Sequence, residues 1–355
     1  MKSLLLICLC TVALSGCAVG PTTVSRDRFD YTAAISESWK QQMLFNMVKI
    51  RYGDSPVFLD VASVINQYSV ESAIDLRFSW ASPIVGSSTN AQSAGAVARY
   101  IDRPTITYAP VTGEKFARSL MTPVPPTSVL SLIQAGYPAD LILRVSVHSI
   151  NGIRNRFGGS VRTRSADPEF YPLLERIRRI QDSGAVGLRV EKKTDKEGTL
   201  LTFRGKVSEE TKEDTRWVRK TLGLDPDGQN FNVVYGSIAK DDKEIAILSR
   251  SVLEILVDLA SLIEVPREHV DGRIVNPTMV EQAPDGTAPA PLLRIHSSRG
   301  RPENAFIAVP YQDYWFYIDN RDYPSKRIFS FIMFIFALTE TGGKEGAPIV
   351  TIPAG

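Results

Sequence analysis

The sequence predicts an α+β fold of mixed helices and mainly antiparallel strands, arranged in two lobes. Apolar residues recur at helical spacing near the start of the body and alternate with polar residues at strand spacing further on. Apolar residues make up 43% of the chain and charged residues 23%, a balance typical of a globular protein. A chain of 355 residues also exceeds the length at which one hydrophobic core usually stops growing. We therefore expect an N-terminal α+β lobe over residues 31–274, a loop over residues 275–291, and C-terminal strands with an apolar helix over residues 292–355.

The first residues have the layout of a secretory signal peptide. Lys2 gives a positive start, an almost unbroken apolar stretch follows, and the small residues Ser15 and Gly16 come directly before Cys17. The apolar stretch is shorter than the roughly 20 residues that a membrane-spanning helix needs. Its end resembles the bacterial lipobox, in which the cysteine is acylated and becomes the new N-terminus. We therefore predict a signal peptide over residues 1–16, cleavage between Gly16 and Cys17, and acyl chains such as palmitate on Cys17.

A lipid on Cys17 would hold the body close to a membrane. Residues 17–30 read as a polar tether that is too short to let the body range far from the bilayer. Ala18 follows the cysteine, whereas retention in the inner membrane usually goes with Asp at that position in the lipoproteins that this sequence resembles. We therefore predict attachment to the cell outer membrane with the body facing the periplasm, and keep anchoring to the inner membrane as the alternative.

Cysteine usage and net charge exclude several classes of function. Cys8 and Cys10 leave with the signal peptide, so the mature chain has no disulfide and no free thiol nucleophile once Cys17 is acylated. The formal net charge of +2 gives no global field that would attract nucleic acid. We therefore expect no nucleic-acid partner.

No recognised catalytic or cofactor motif is present in the sequence. His148, His269 and His296 are far apart and show no paired metal-ligand spacing. The sequence also has no GxSxG nucleophile elbow, no P-loop and no GxGxxG motif after a strand. We therefore predict no catalytic residue, no metal site and no cofactor, which leaves a hydrolase without a recognisable motif as a remote alternative.

Alternation of apolar and polar residues marks residues 57–80 as strands. It is clearest over residues 74–80, where one face is wholly apolar and the other wholly polar. A loop rich in Gly, Ser, Ala and Asn follows over residues 82–95, and residues 97–108 return as a strand that Pro104 interrupts. We expect a long hairpin, or paired strands joined by a mobile connection, with one face packed on the protein core. If subunits assemble, the same strands over residues 70–108 would face lipid instead, as in a pore.

Helical spacing marks both ends of the body. Residues 31–50 form an amphipathic helix, and an ion pair between Arg51 and Asp54 is expected to hold the turn after it. Residues 326–339 form a helix that is apolar on every side but too short to cross a bilayer, which predicts a core helix. Between them, the apolar run over residues 141–150 is predicted as a buried strand.

The aromatic run near the C-terminus is the candidate binding surface. Aromatic residues occupy both odd and even positions of the strand over residues 314–318, so they lie on both of its faces. Such a strand is buried on both sides, or it offers one side to a partner or ligand. Core packing beside a salt-bridged turn is the favoured interpretation, and a binding surface is the alternative. The candidate residues are Tyr314, Trp315, Tyr317, Asp319 and Arg321.

Three segments resemble a family of uncharacterised bacterial outer-membrane lipoproteins known only as hypothetical proteins. They are NMVKIRYGDSPVF at residues 46–58, RPTITY at residues 103–108 and YWFYIDNRD at residues 314–322. The similarity extends over most of the mature chain. It implies no activity, cofactor or site residue, because the family carries none.

These features favour a non-enzymatic lipoprotein that binds or scaffolds another cell-envelope component, either a protein or a polysaccharide. The lipid anchor, the short tether and the lack of a catalytic motif support this prediction. The alternative is an oligomeric outer-membrane export or pore component, which the alternation over residues 74–80 supports. A hydrolase ranks third.

Overall fold

Helices combined with mainly antiparallel sheets confirm the predicted α+β class. The computed structural model describes residues 21–65, 68–77, 93–102, 105–111, 114–159, 163–193, 196–203, 207–279 and 291–339. The described residues fall into two compact units, one drawn from residues 1–57 and 112–342 and the other from residues 58–111. This division does not coincide with the boundary predicted at residues 275–291. Gly16, Cys17 and the rest of the predicted signal peptide lie outside the described residues.

The first helix, α1, is longer than the sequence predicts. It spans Pro21–Arg51, so the helix start predicted at residue 31 is wrong and the helix extends into the segment predicted as a tether. Proline suits the first turn of a helix, and each added residue gains a hydrogen bond once a helix has nucleated. The amphipathic half provides that nucleus, because it buries a stripe of side chains. The stripe consists of Met43, Leu44, Met47 and Val48.

The turn after α1 differs from the prediction in its ion pair. Gly53 adopts φ +76°, a left-handed conformation that suits glycine at a helix end. The Asp54 carboxylate lies 3.7 Å from the Lys49 ammonium rather than against Arg51. The Arg51 guanidinium instead donates a 2.6 Å hydrogen bond to the carbonyl of Asn276. The expected Arg51–Asp54 pair is therefore wrong, because Arg51 is directed toward a segment distant in sequence.

The unit drawn from residues 58–111 is built of paired antiparallel strands, as predicted for the long hairpin. Strand β1 pairs with β4, and β2 pairs with β3 in continuous register from Tyr68 opposite Asp102 to Arg77 opposite Ser93. Pro104 and residues 78–92, which include most of the predicted loop, lie outside the described residues. The strands are β1 (Phe58–Ile65), β2 (Tyr68–Arg77), β3 (Ser93–Asp102) and β4 (Thr105–Val111).

The other unit contains a six-stranded sheet in the order β6-β5-β12-β11-β10-β9. Neighbouring strands are antiparallel except β11 and β12, which are parallel. The helices before and within this region are α2 (Glu114–Met121), α3 (Pro126–Gln134), α4 (Ala139–Ser146), α5 (Phe170–Asp182) and α6 (Glu209–Leu222). The strands are β5 (Val147–Ile150), β6 (Ile153–Arg154), β9 (Val186–Lys193), β10 (Lys196–Phe203), β11 (Asn230–Tyr235) and β12 (Glu244–Ser249), while β7 (Phe157–Gly158) and β8 (Thr163–Arg164) form a separate pair.

The strand predicted over residues 141–150 is wrong in its first part. Helix α4 occupies Ala139–Ser146, and only β5, Val147–Ile150, is a strand. A short apolar run is buried in either conformation, so its composition does not distinguish a strand from a core helix. Asp140 in the first turn and Arg144 in the last turn favour the helix, because each complements the partial charge at its end.

A buried ionic cluster lies against helix α7 (Val252–Ala260), which begins with a capping box between Ser251 and Glu254. Asp258 on α7 accepts 3.0 Å hydrogen bonds from the guanidinium groups of both Arg156 and Arg250. All three side chains are at most 1% exposed. A buried charge left without a partner is strongly destabilising, so the three residues fix α7 against the chain around Arg156.

The C-terminal region combines a three-stranded sheet with a buried helix. Strand β15 (Tyr314–Asp319) lies between β13 (His296–Ser298) and β14 (Ala305–Tyr311) and is antiparallel to both. The prediction of a core helix is confirmed, since Ile328, Phe329, Phe331, Ile332 and Ile335 are buried. No helix in the described part of the chain is both long and apolar enough to cross a membrane. The helices of this region are α8 (Arg267–Asp271) and the buried helix α9 (Tyr323–Thr339).

Part of the predicted loop over residues 275–291 packs against the body. The backbone N–H of Met279 donates to the carbonyl of Ser261 at 3.2 Å, and the Thr278 hydroxyl donates to the carbonyl of Ile263 at 2.9 Å. Val275 is buried. Residues 280–290 lie outside the described residues.

Candidate binding surface on the C-terminal sheet

Strand β15 presents its aromatic residues to two different environments. Phe316 and Ile318 point into the core and are 0% exposed. Trp315 and Tyr317 lie on the opposite face and stay half-buried. The predicted presence of aromatic residues on both faces is thus confirmed, and the two faces differ in exposure.

The neighbouring strands place further residues beside Trp315 and Tyr317. In the β13–β15 pairing, Ser298 lies opposite Trp315 and His296 lies opposite Tyr317. Directly opposed residues of an antiparallel pair share a face of the sheet. The outer face therefore brings His296 next to the aromatic residues, although the two segments are distant in sequence.

Each outer aromatic ring has a polar neighbour. The guanidinium carbon of Arg301 lies 5.4 Å from the centre of the Trp315 ring, within the range of a cation–π interaction. The His296 and Tyr317 rings lie 5.5 Å apart at a tilt of 41°. His296 Nδ1 is 2.8 Å from the carboxylate of Glu264. A carboxylate only accepts hydrogen bonds, so Nδ1 carries a proton and the ring is held in one orientation.

Tyr314 belongs to a second cluster, on the other face of β15. Its hydroxyl donates a hydrogen bond to Glu268 and accepts one from Arg299 Nε at 3.0 Å. Arg299 also forms a 2.7 Å ion pair with Glu268. The hydrogen bond from Tyr314, together with Arg299, lowers the pKa of the Glu268 carboxyl. This cluster connects α8 to the start of β15.

Tyr52 and His269 extend that second cluster into the body. The Tyr52 hydroxyl and His269 Nδ1 are joined by a 2.8 Å hydrogen bond, and the His269 ring lies 5.2 Å from that of Tyr314. Tyr52 also contacts Phe316, at 5.9 Å between ring centres. Burial raises the pKa of Tyr52 to about 12, so the phenol stays protonated at neutral pH.

Asp319 and Arg321 have mainly local roles. The Asp319 carboxylate accepts a 2.7 Å hydrogen bond from the backbone N–H of Arg321. The Asp322 carboxylate accepts from the backbone and hydroxyl of Ser325, at the start of α9. The expected salt bridge in this turn is not formed by Asp319 and Arg321, which are both described by the structure. Their contact is a hydrogen bond from a backbone N–H to a carboxylate. The five predicted residues thus form three groups. Trp315 and Tyr317 lie on the outer face, Tyr314 lies on the other face, and Asp319 and Arg321 belong to the turn.

We call the outer group of Trp315, Tyr317, His296 and Arg301 the Trp315–Tyr317 surface. Sequence reasoning found its two aromatic residues and missed His296 and Arg301 as their neighbours. The only available signal was one histidine and three arginines shortly before the aromatic strand, and nothing in the sequence singles out Arg301 among the three. The pairing of β13 with β15 brings them together, and sequence does not specify that pairing.

The Trp315–Tyr317 surface offers aromatic, guanidinium and imidazole groups. The adjacent carboxylate of Glu264 contacts His296. Elsewhere in the described part of the chain, no group of three or more His, Cys, Asp or Glu residues is arranged to hold a metal ion. Comparisons with protein-family models, with curated proteins and with solved structures found no match for this chain.

Proposed function

We propose that this chain is a lipoprotein, anchored in the outer membrane through acyl chains on Cys17, that binds another cell-envelope protein through the Trp315–Tyr317 surface. The signal-peptide layout before Cys17 supports the anchor. The body faces the periplasm, where the partner is found.

One observation carries the binding proposal: Trp315 and Tyr317 stand half-buried on the outer sheet face with Arg301 stacked on the indole. Tryptophan, tyrosine and arginine are the residues that most often dominate the energy of protein interfaces. Packing against neighbours already orders these side chains, so less conformational entropy is lost when a partner binds. The surface is therefore suited to act as the anchor of an interface.

Contacts within the surface favour a protein over a polysaccharide as the partner. A sugar ring would bind by stacking on an aromatic face. The Arg301 guanidinium already lies over the Trp315 ring, and the His296 ring already contacts the Tyr317 ring. A sugar would have to displace these neighbours to stack on either ring. A protein partner uses the ring edges and the guanidinium as well as the ring faces, so it needs no displacement of these neighbours.

Co-purification after chemical crosslinking of intact envelopes tests the binding proposal. The double variant Trp315→Ala with Tyr317→Ala should lose a partner protein that the wild type retains. Tyr235→Ala is the matched control, because Tyr235 is a 55% exposed aromatic residue on the six-stranded sheet. Equal recovery from all three proteins would contradict the proposal. Recovery of protease-resistant material that a glycosidase removes would identify a polysaccharide and overturn the choice of a protein.

Metabolic labelling tests the anchor separately. The Cys17→Ala variant should remain uncleaved and should take up no radioactive palmitate, because the acylated thiol is gone. Ala18→Asp should move the protein toward the inner membrane. Labelling that persists in Cys17→Ala would refute the anchor, and unchanged fractionation of Ala18→Asp would refute the assignment to the outer membrane.

The β2–β3 hairpin favours a second candidate function, an oligomeric export or pore component. Each strand is ten residues long, within the range of about 9–11 residues for strands that cross a membrane. The paired positions Ile74 with Ala96 and Leu76 with Ala94 are apolar in sequence and alternate with polar positions along β2. The mass of the native protein in detergent tests this candidate, since a ring of subunits would support it and a monomer would exclude it.

A further inference from the structure

A pocket with a volume of about 590 Å³ lies between the helices α3–α6 and the six-stranded sheet. Its walls are formed by aliphatic side chains from both layers. We call it the aliphatic cavity, and its most buried wall residues are Leu143, Ile150, Ile180, Val218, Ile245 and Ile247. Protein interiors are close-packed, with few voids larger than a water molecule, so a space of this size between two layers is unusual. The volume lies within the range of small-molecule sites, about 300–1,000 Å³.

The chemistry of the walls limits what the cavity can hold. Among the described residues that line it, no aromatic ring is present, and the polar side chains are confined to Gln134, Arg178, Gln181 and Asp182. A polar group inside the aliphatic part would therefore lose its hydrogen bonds to water and gain none. The walls are suited to a flexible hydrocarbon chain without polar groups.

The polar residues belong to the helix ends at one side of the cavity. Gln181 is committed to the backbone, since its amide group bonds the carbonyls of Ile133 and Tyr137 at 2.8 Å each. Arg178 forms a 3.0 Å ion pair with Asp182, and Arg178 and Asp182 are both in contact with solvent. This arrangement gives the cavity an apolar interior and a polar end, which matches an amphiphile.

From this arrangement we infer that the aliphatic cavity binds the alkyl chain of a fatty acid or membrane lipid, with the polar end of the ligand near Arg178. The hydrocarbon gains by leaving water for the aliphatic walls. Free fatty acids and phospholipids both carry such a chain. This site is separate from the Trp315–Tyr317 surface and does not depend on it.

Leu201 offers a way to fill the cavity by substitution. It lines the cavity from β10, and the strand pairings place it on the same face of the sheet as Ile245 and Ile247. Leu201→Trp therefore adds aromatic volume to the cavity. Leu200→Trp is the matched control, since Leu200 is the preceding, equally half-buried residue of the same strand, points to the opposite face and does not line the cavity.

Photo-crosslinking with an alkyl probe tests the inference directly. The purified full-length protein, reconstituted with phospholipid, is irradiated with a palmitate analogue carrying a diazirine on its chain, and the labelled peptides are mapped by mass spectrometry. We expect labels on peptides from α4, α5, α6 and β12, competed by unlabelled palmitate. A phospholipid with the same diazirine on its acyl chain forms the second arm, and the arm with the greater labelling identifies the source of the chain.

The variants then decide whether the label reports the cavity. Leu201→Trp should lower labelling of these peptides about tenfold, the scale of an overpacking penalty, and Leu200→Trp should leave it unchanged. Labels confined to other parts of the unmodified protein would overturn the inference, even if Leu201→Trp failed to fold. Equal labelling of a folded Leu201→Trp protein would overturn it as well.

Discussion

The two faces of strand β15 use the same class of residue for different purposes. Phe316 on the inner face is fully buried and contacts Tyr52, whereas Trp315 on the outer face is half-buried beneath Arg301. The inner residue gains its stabilisation from burial, and the outer residue retains apolar surface that a partner can cover. Aromatic composition alone therefore does not define a binding surface; the exposure of each face does.

The largest effect should follow from removing the inner aromatic residue. Phe316→Ala leaves a cavity next to Ile318 and Tyr52, so we expect the free energy of unfolding to fall by about 3–5 kcal/mol. Urea unfolding monitored by circular dichroism measures this change. A loss below about 1 kcal/mol would mean that the inner face is not part of the stabilising core.

A smaller loss should follow from breaking the hydrogen bond that supports the inner face. Tyr52→Phe preserves the ring but leaves His269 Nδ1 without the phenol partner, which should cost about 1–2 kcal/mol of unfolding free energy. The same urea titration measures it. An unchanged midpoint would show that the Tyr52–His269 bond contributes nothing to holding α1 against α8.

The smallest effect on stability should come from the outer face. Trp315→Ala should change the free energy of unfolding by about 1 kcal/mol or less, because the indole is only half-buried and its cation–π contact with Arg301 is exposed to solvent. Calorimetry of Trp315→Ala beside Phe316→Ala measures the contrast. Equal destabilisation by the two substitutions would remove the distinction between the faces.

The sequence predicted those features that depend on local pattern. The α+β class, the paired strands of residues 58–111, the apolar core helix α9 and the doubly aromatic strand β15 each follow from periodicity within one segment. The start of α1 was missed because a polar extension carries no apolar stripe, although a nucleated helix continues through it. The helix at Ala139–Ser146 was missed because a buried apolar run has the same composition in both conformations.

The missing parts of the candidate site depend on contacts between distant segments. Arg301 reaches Trp315, and His296 reaches Tyr317, through the pairing and loops of the C-terminal sheet. Arg51 is directed to Asn276 rather than to Asp54 for the same reason. Sequence reasoning identifies which residues are suited to binding, and only the fold decides which of them meet.

Site-specific photo-crosslinking in intact cells tests the proposed binding surface most directly. A benzophenone amino acid replaces Tyr317 in one protein and Tyr235, an exposed aromatic residue on the other sheet, in the control. If the Trp315–Tyr317 surface binds an envelope protein, position 317 yields a discrete protein adduct, Trp315→Ala reduces it, and position 235 yields none. The absence of an adduct at position 317, or the same adduct at both positions, would contradict the account.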